Sequence, residues 1–179
     1  MKKRLAVLAA MAVGVASFAL AAQAAPSAQT ASGKTDVAVA SGDQRFTTLV
    51  ALVKQAGLAS TLSGKGPFTV FAPTNAAFAK LKAQAPDTFE AVSTDKALLK
   101  KVLTYHVLAK RVPSTAALAA AKQGASVKTV QGEPITLSVK AGKIVLNGSS
   151  RVVVADVKAS NGVIHAIDAV IVPPSIAKG

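Results

Sequence analysis

The chain has 179 residues, of which 51% are hydrophobic and 16% are charged, and it contains no cysteine. This length allows one ordinary domain with its own core, and the composition is too apolar for a disordered chain. The absence of cysteine excludes a disulfide framework, thiolate metal sites and cysteine nucleophiles.

The first 24 residues have the three-part form of a secretory signal peptide. Met1–Arg4 is a short basic region, residues 5–20 are apolar and uncharged, and residues 22–24 (Ala-Gln-Ala) are the small residues that precede a cleavage site. We therefore predict cleavage after Ala24 and a secreted or periplasmic protein. A retained membrane anchor is the competing interpretation, because the apolar stretch approaches the roughly 20 residues that span a bilayer. No second stretch of that length follows, so we expect no transmembrane anchor after cleavage.

The remaining chain divides into three parts by composition. Residues 25–42 are mostly small and polar without periodicity, which predicts a flexible leader. Residues 43–175 are expected to form the folded domain, and residues 176–179 a short tail. Nothing repeats at a fixed period, so a single domain is expected. We also expect a monomer.

The first half of the domain has mainly the helical period. Apolar residues at three- and four-residue steps predict a first helix that Gly57 closes, and further helices follow the same pattern up to Gly124. One short strand, residues 68–71, interrupts them and is ended by Pro73. Thr74 or Asn75 is expected to cap the next helix.

After Gly124 the pattern changes to the strand period. Five β-branched runs follow, separated by the turn dipeptides Ala141-Gly142, Asn147-Gly148 and Asn161-Gly162. These runs predict an antiparallel meander. Helices first and strands afterwards indicate an α+β fold.

Three segments in this order resemble the hallmarks of the fasciclin domain family. Residues 69–78 match the pattern TxFxPTNxAF, residues 103–108 resemble the central Tyr-His motif, and residues 161–168 resemble the second hallmark. The resemblance implies a wedge-like β-sandwich with a flanking helical layer. We interpret the following motif residues as structural: Thr69, Phe71, Pro73, Thr74, Asn75, Phe78, Asn161, Gly162, His165 and Asp168.

The resemblance also implies a function. Fasciclin domains usually mediate adhesion or extracellular contacts, and they are not a family of established enzymes. In animal members adhesion has been attributed to an Asp-Ile pair and to the Tyr-His region, which correspond here to Asp156, Val157, Tyr105 and His106. We therefore expect a non-enzymatic interaction module whose partner is a protein or polysaccharide of the envelope or matrix. The alternative is a periplasmic protein that binds a small molecule or lipid between the helical layer and the sheet.

The residues themselves argue against catalysis, metal binding and cofactors. His106 shares the apolar face of its helix, which favours a buried, hydrogen-bonded histidine. In a regular strand His165 and Asp168 point to opposite faces, so they are not expected to pair. No metal-ligand spacing, GxSxG elbow or phosphate-binding loop is present.

The basic excess has two interpretations. The chain has 21 Lys and Arg against 8 Asp and Glu, a formal charge of +13, and loss of residues 1–24 leaves +10. Scattered lysines keep a protein soluble, and they also attract anionic surfaces such as acidic polysaccharide, lipopolysaccharide or lipid head groups. Nucleic acid is not expected, because the phenylalanines occupy predicted core positions and leave no stacking platform.

Overall fold

The computed structural model describes residues 34–177. The predicted signal peptide with its cleavage site, the first part of the leader and the end of the tail lie outside this range. Within it no helix is both long and apolar enough to cross a bilayer. The elements are α1 Asp36–Ser41, a 3₁₀ turn Gln44–Phe46, α2 Thr47–Gln55, α3 Ala59–Leu62, β1 Phe68–Pro73, α4 Asn75–Gln84, α5 Pro86–Thr94, α6 Lys96–Tyr105, β2 Val107–Leu108, α7 Ser114–Lys122, β3 Ser126–Lys128, β4 Pro134–Lys140, β5 Lys143–Leu146, β6 Ser150–Lys158, β7 Gly162–Ile167 and α8 Pro174–Ala177.

The seven strands form one sheet in the order β2-β1-β7-β6-β5-β4-β3. Strands β3 to β7 are the predicted antiparallel meander. β1 lies parallel to β7, so the early strand is inserted beside the last one. The two edges of the sheet also meet, because the N–H of Val130, just after β3, donates to the carbonyl of Val107 in β2 at 2.8 Å. The predicted α+β class is confirmed, with a sheet curled almost into a closed wedge.

Two apolar cores hold this arrangement together. The first lies between the helical layer and one face of the sheet, and includes Phe46, Leu99 and Ile164. The second fills the inside of the curled sheet beneath α7, and includes Phe71 and Ile135. β7 is buried along its whole length because it faces both cores. Any polar side chain on β7 must therefore find its partners inside the protein.

The leader prediction is wrong for residues 36–41, which form α1. Asp36 is 2% exposed and Ala40 is 7% exposed, so this helix packs on the domain and is not flexible. The N–H of Asp36 donates to Oδ1 of Asn161 at 2.8 Å. A helix of six residues is too short to show a helical period, and its anchor lies 125 residues away in the sequence. Neither feature is visible in the local pattern.

Candidate functional site

The first hallmark segment joins β1 to α4. Thr74, not Asn75, caps α4, since its hydroxyl accepts from the N–H of Ala77 at 3.4 Å. Asn75 instead caps a different helix: its Oδ1 accepts from the N–H of Thr48 at 3.1 Å, in the first turn of α2. Phe78 is buried one turn inside α4. The predicted joint is confirmed, and Asn75 additionally ties the two helices together.

The β1 part of this segment positions the loop before α7. Thr69 is fully buried; its hydroxyl donates to the carbonyl of Lys110 at 2.6 Å and accepts from the N–H of Val112 at 2.8 Å. Phe71 stacks on the ring of His165 with 5.7 Å between centroids. Both side chains are buried and make these internal contacts, and their structural role stays a prediction.

Tyr105 and His106 are buried, with 0% and 2% of their surfaces exposed. The Tyr105 hydroxyl donates to the carbonyl of Pro134 at 3.0 Å and accepts from Nδ2 of Asn147 at 2.8 Å. These contacts confirm the prediction of a buried ring with a bonded hydroxyl. They also correct the assignment of both residues as interaction residues, because neither side chain has surface to offer a partner.

The hydrogen bonds of His106 determine its tautomer. Nδ1 lies 2.7 Å from the carbonyl of Val102, which can only accept, so Nδ1 carries the proton. Nε2 accepts from the N–H of Ile171 at 3.0 Å. Burial lowers the pKa of His106 to about 4, although its bond to Val102 acts in the opposite direction. The ring is therefore neutral at physiological pH.

His165 is the second buried histidine, 1% exposed, and has the opposite tautomer. Nε2 donates to the carbonyl of Val112 at 2.8 Å, and Nδ1 accepts from the N–H of Asp156 at 3.2 Å. All four ring nitrogens of the two histidines are thus bonded to the backbone. In this state none is available to ligate a metal or to abstract a proton from a substrate.

Asp168 does not pair with His165. Its Oδ1 accepts from the N–H of Arg151 at 2.8 Å, its own N–H donates to the carbonyl of Arg151 at 3.0 Å, and its Oδ2 lies 3.6 Å from Nζ of Lys80. These bonds fasten the end of β7 to the start of β6. Asp168 therefore links two strands and α4, and its structural role stays a prediction.

Asp156 lies at an irregularity of β6, where its φ of 58° interrupts the register with β7. Its Oδ1 accepts from the N–H of Ser114 at 2.8 Å, and its Oδ2 accepts from the Ser114 hydroxyl. Partial burial would raise the pKa of Asp156, but the bonds from Ser114 outweigh it and hold the pKa below its usual range. Asp156 thus caps the first turn of α7 from a strand 42 residues away. Its neighbour Val157 is half-buried and packs on the first core.

Replacing Asp156 by glycine is expected to lower the free energy of unfolding by about 1 kcal/mol, because α7 loses its capping carboxylate. Glycine accepts the positive φ at this position, so the change reports the cap and adds no backbone strain. Urea unfolding followed by circular dichroism measures it. An unchanged or raised stability would show that the carboxylate does not cap the helix.

Asn161 joins three segments at one end of the sheet. Its Nδ2 donates to the carbonyls of Leu62 at 2.7 Å and Gly64 at 3.1 Å, and its Oδ1 accepts from the N–H of Asp36. Gly162 must be glycine here, since a Cβ would lie 2.3 Å from the carbonyl oxygen of Phe68. The start of the second hallmark is therefore the anchor for α1 and for the turn after α3.

The segments joined by Asn161 line a polar cleft of about 450 Å³ that is open to solvent. We call it the basic cleft. Arg111 lies at its edge, where Nη2 donates to the carbonyls of Ala159 at 3.3 Å and Gly162 at 2.9 Å. The lining residues are Thr35, Ser63, Gly64, Lys65, Gly66, Pro67, Arg111, Ser160 and Asn161. The sequence shows the Lys110-Arg111 pair only as two neighbouring basic residues. It gives no sign that Arg111 lies beside residues 63–67 in the fold.

Asp36 is buried nearby with neither carboxylate oxygen hydrogen-bonded by the described residues. Burial raises its pKa to about 6, and the charge of Arg111 lowers it by a smaller amount. Asp36 and His106 also line one small apolar cavity of about 30 Å³ under α1. Sequence reasoning missed Asp36, because a single acidic residue in a polar segment gives no sign of burial.

Comparisons with known proteins agree with this architecture. The family described as fasciclin domain matches residues 44–173. The chain belongs to the fasciclin domain family. The resemblance carried by the three motifs is therefore confirmed.

Similar proteins occur in bacteria. Protein sll1483 of Synechocystis is 48% identical over 82% of this chain and 78% of its own length. Immunogenic protein MPB70 of Mycobacterium bovis is 36% identical over 90% of this chain and 81% of its own length. A solved fasciclin domain pair from the insect cell adhesion molecule fasciclin I superposes with a TM-score of 0.70 at 19% identity. That match covers 80% of this chain and about half of the pair (52%), and it establishes the fold alone.

Proposed function

We propose that this fasciclin domain is a secreted or periplasmic, non-enzymatic interaction module that contacts a protein or polysaccharide of the envelope or matrix. The proposal rests on the motif residues that could act as acids, bases or metal ligands. Their polar side-chain atoms are hydrogen-bonded inside the protein. Both histidines bond the backbone through both nitrogens, and Asp156 and Asp168 bond backbone N–H groups of other elements. These bonds make the motif residues part of the scaffold of the domain. We therefore place the function on the surface of the domain.

Similar proteins support the same proposal. The solved domain pair comes from a protein described as an insect cell adhesion molecule. The three-part N-terminus supports export, with cleavage after Ala24. Contact through Asp156 and Val157 remains part of the proposal, although Ser114 already bonds the carboxylate of Asp156.

The alternative of an internal lipid or small-molecule pocket gains no support from the described residues. The cavity between the helices and the sheet is about 30 Å³. Ligand pockets usually enclose about 300 to 1,000 Å³, and a space of this size holds one or two waters. We therefore propose binding at the surface.

Purified protein is expected to be retained on isolated envelope or matrix polymer well above a neutral protein of similar size. Retention is measured by co-sedimentation with the insoluble material. Retention equal to that of the neutral protein would overturn the proposal. Native mass spectrometry of the same preparation checks the alternative, for which a co-purifying hydrophobic ligand would be the decisive result.

A further inference from the structure

Basic residues converge on the end of the sheet where Asn161 joins the three segments. Lys65 and Arg111 line the basic cleft. The carbonyl of Lys34 accepts from the N–H of Ser160 at 3.0 Å, which places it beside the cleft, and Lys110 precedes Arg111. Lys158 pairs in register with Val163 on the neighbouring strand. All five residues are exposed; Lys65 and Arg111 line the cleft, and the other three lie one or two positions from a lining residue in the sequence.

Fewer acidic than basic residues lie near this opening. Asp36 is buried below α1 and is mostly ionised at pH 7, because its pKa is about 6, so it offsets part of the charge of Arg111. The carboxylate of Asp156 is held by Ser114. The cleft therefore has an excess of unpaired positive charge, which attracts anions over about one Debye length, roughly 10 Å at 0.1 M salt.

The lining indicates which anion fits. Hydroxyl groups of Thr35, Ser63 and Ser160 both donate and accept hydrogen bonds, as the hydroxyls of a sugar do. Arg111 uses Nη2 for its two backbone bonds, and its Nε and Nη1 make none with the described residues. Because both hydrogens of Nη2 are already used, neither two-point fork of the guanidinium is free, and Nε and Nη1 can each donate one charge-assisted hydrogen bond to a carboxylate.

Other polyanions fit less well. No aromatic side chain lines the cleft, so bases of a nucleic acid have nothing to stack on. The exposed large apolar side chains within residues 34–177 are Val130 and Val153, and neither lines the cleft, so it offers no anchor for a lipid bilayer.

We propose that the basic cleft binds an acidic polysaccharide, with Arg111 and Lys65 at the carboxylates and the serine and threonine hydroxyls at the sugar hydroxyls. This inference rests on the proposed function and names its partner class and surface. Asn161 and Gly162 are uncharged and act as positioning residues, because they bring the three segments of the cleft together.

The test compares two triple variants of the full protein. Lys34→Gln, Lys65→Gln and Lys110→Gln remove charge at the cleft, while Lys128→Gln, Lys140→Gln and Lys143→Gln remove the same charge on the exposed β3 and β4–β5 region. Binding to polygalacturonate is measured by isothermal titration at 50 mM and 200 mM salt. The cleft variant is expected to bind about tenfold more weakly at 50 mM salt, and the control variant less than threefold more weakly.

Further outcomes decide between the cleft inference and its alternatives. Equal losses in both variants would show diffuse charge attraction and overturn it. Stronger binding to vesicles containing phosphatidylglycerol than to polygalacturonate, or equal binding to neutral dextran, would also overturn it. If wild-type protein is retained on envelope material but does not bind polygalacturonate, the cleft inference fails and the interaction module stands. Loss of retention on all envelope and matrix material would instead remove the proposed function.

Discussion

Replacing His106 by alanine is expected to lower the free energy of unfolding by about 3 kcal/mol. The ring is 2% exposed, and its removal leaves a cavity and an unpaired, buried N–H at Ile171. For a domain of this size the loss corresponds to a melting temperature about 10 °C lower. Thermal unfolding followed by circular dichroism measures the change.

Lys101 provides the control for this substitution, because it is exposed on the same helix, α6. Lys101→Ala is expected to change stability by less than about 0.5 kcal/mol. If His106→Ala and Lys101→Ala melt together, the buried hydrogen bonds of His106 do not stabilise the fold. A lost interaction with a partner at unchanged stability would restore His106 as a contact residue.

Hydrophobic period and turn residues predicted most of the architecture. The helix closed by Gly57, the strand that begins at Phe68 and the meander after Gly124 all depend on contacts close in sequence, so the local pattern shows them. The motif resemblance then supplied the fold family. The parallel pairing of β1 with β7 has no local signal, because its partners lie more than 90 residues apart.

The candidate site was harder to predict for the same reason. Tyr105 and His106 have polar side-chain groups that are visible in the sequence. The carbonyls of Pro134 and Val102, which accept their hydrogen bonds inside the core, cannot be identified from it. The basic cleft depends on four segments brought together by Asn161 and Arg111. Motif residues with many long-range hydrogen bonds therefore belong to the scaffold. The surface cleft that they hold together can be recognised only from the three-dimensional structure.

Asp36 and His106 line the same cavity but change stability in opposite directions with pH. The pKa of Asp36 is raised from 3.8 to about 6, so stability falls as pH rises through this interval. The pKa of His106 is lowered from 6.5 to about 4, so stability falls as pH drops through that interval. The two contributions overlap between about pH 4 and pH 6, where they should largely cancel in the wild-type protein.

Asp36→Asn is therefore expected to uncover the contribution of His106. At pH 7 the substitution removes the cost of ionising a buried carboxyl and should raise the free energy of unfolding by about 2 kcal/mol. Between pH 4 and pH 6 its stability should rise more steeply than that of the wild type, by up to about 1.4 kcal/mol per pH unit. Urea unfolding across this range measures both effects. Asp43→Asn is the control, because the Asp43 side chain is 28% exposed and its bonds to Arg45 lower its pKa, so it should leave the slope above pH 5 unchanged. Parallel curves for Asp36→Asn and wild type would mean that the carboxyl of Asp36 is not buried, and that α1 does not close over the cavity in solution.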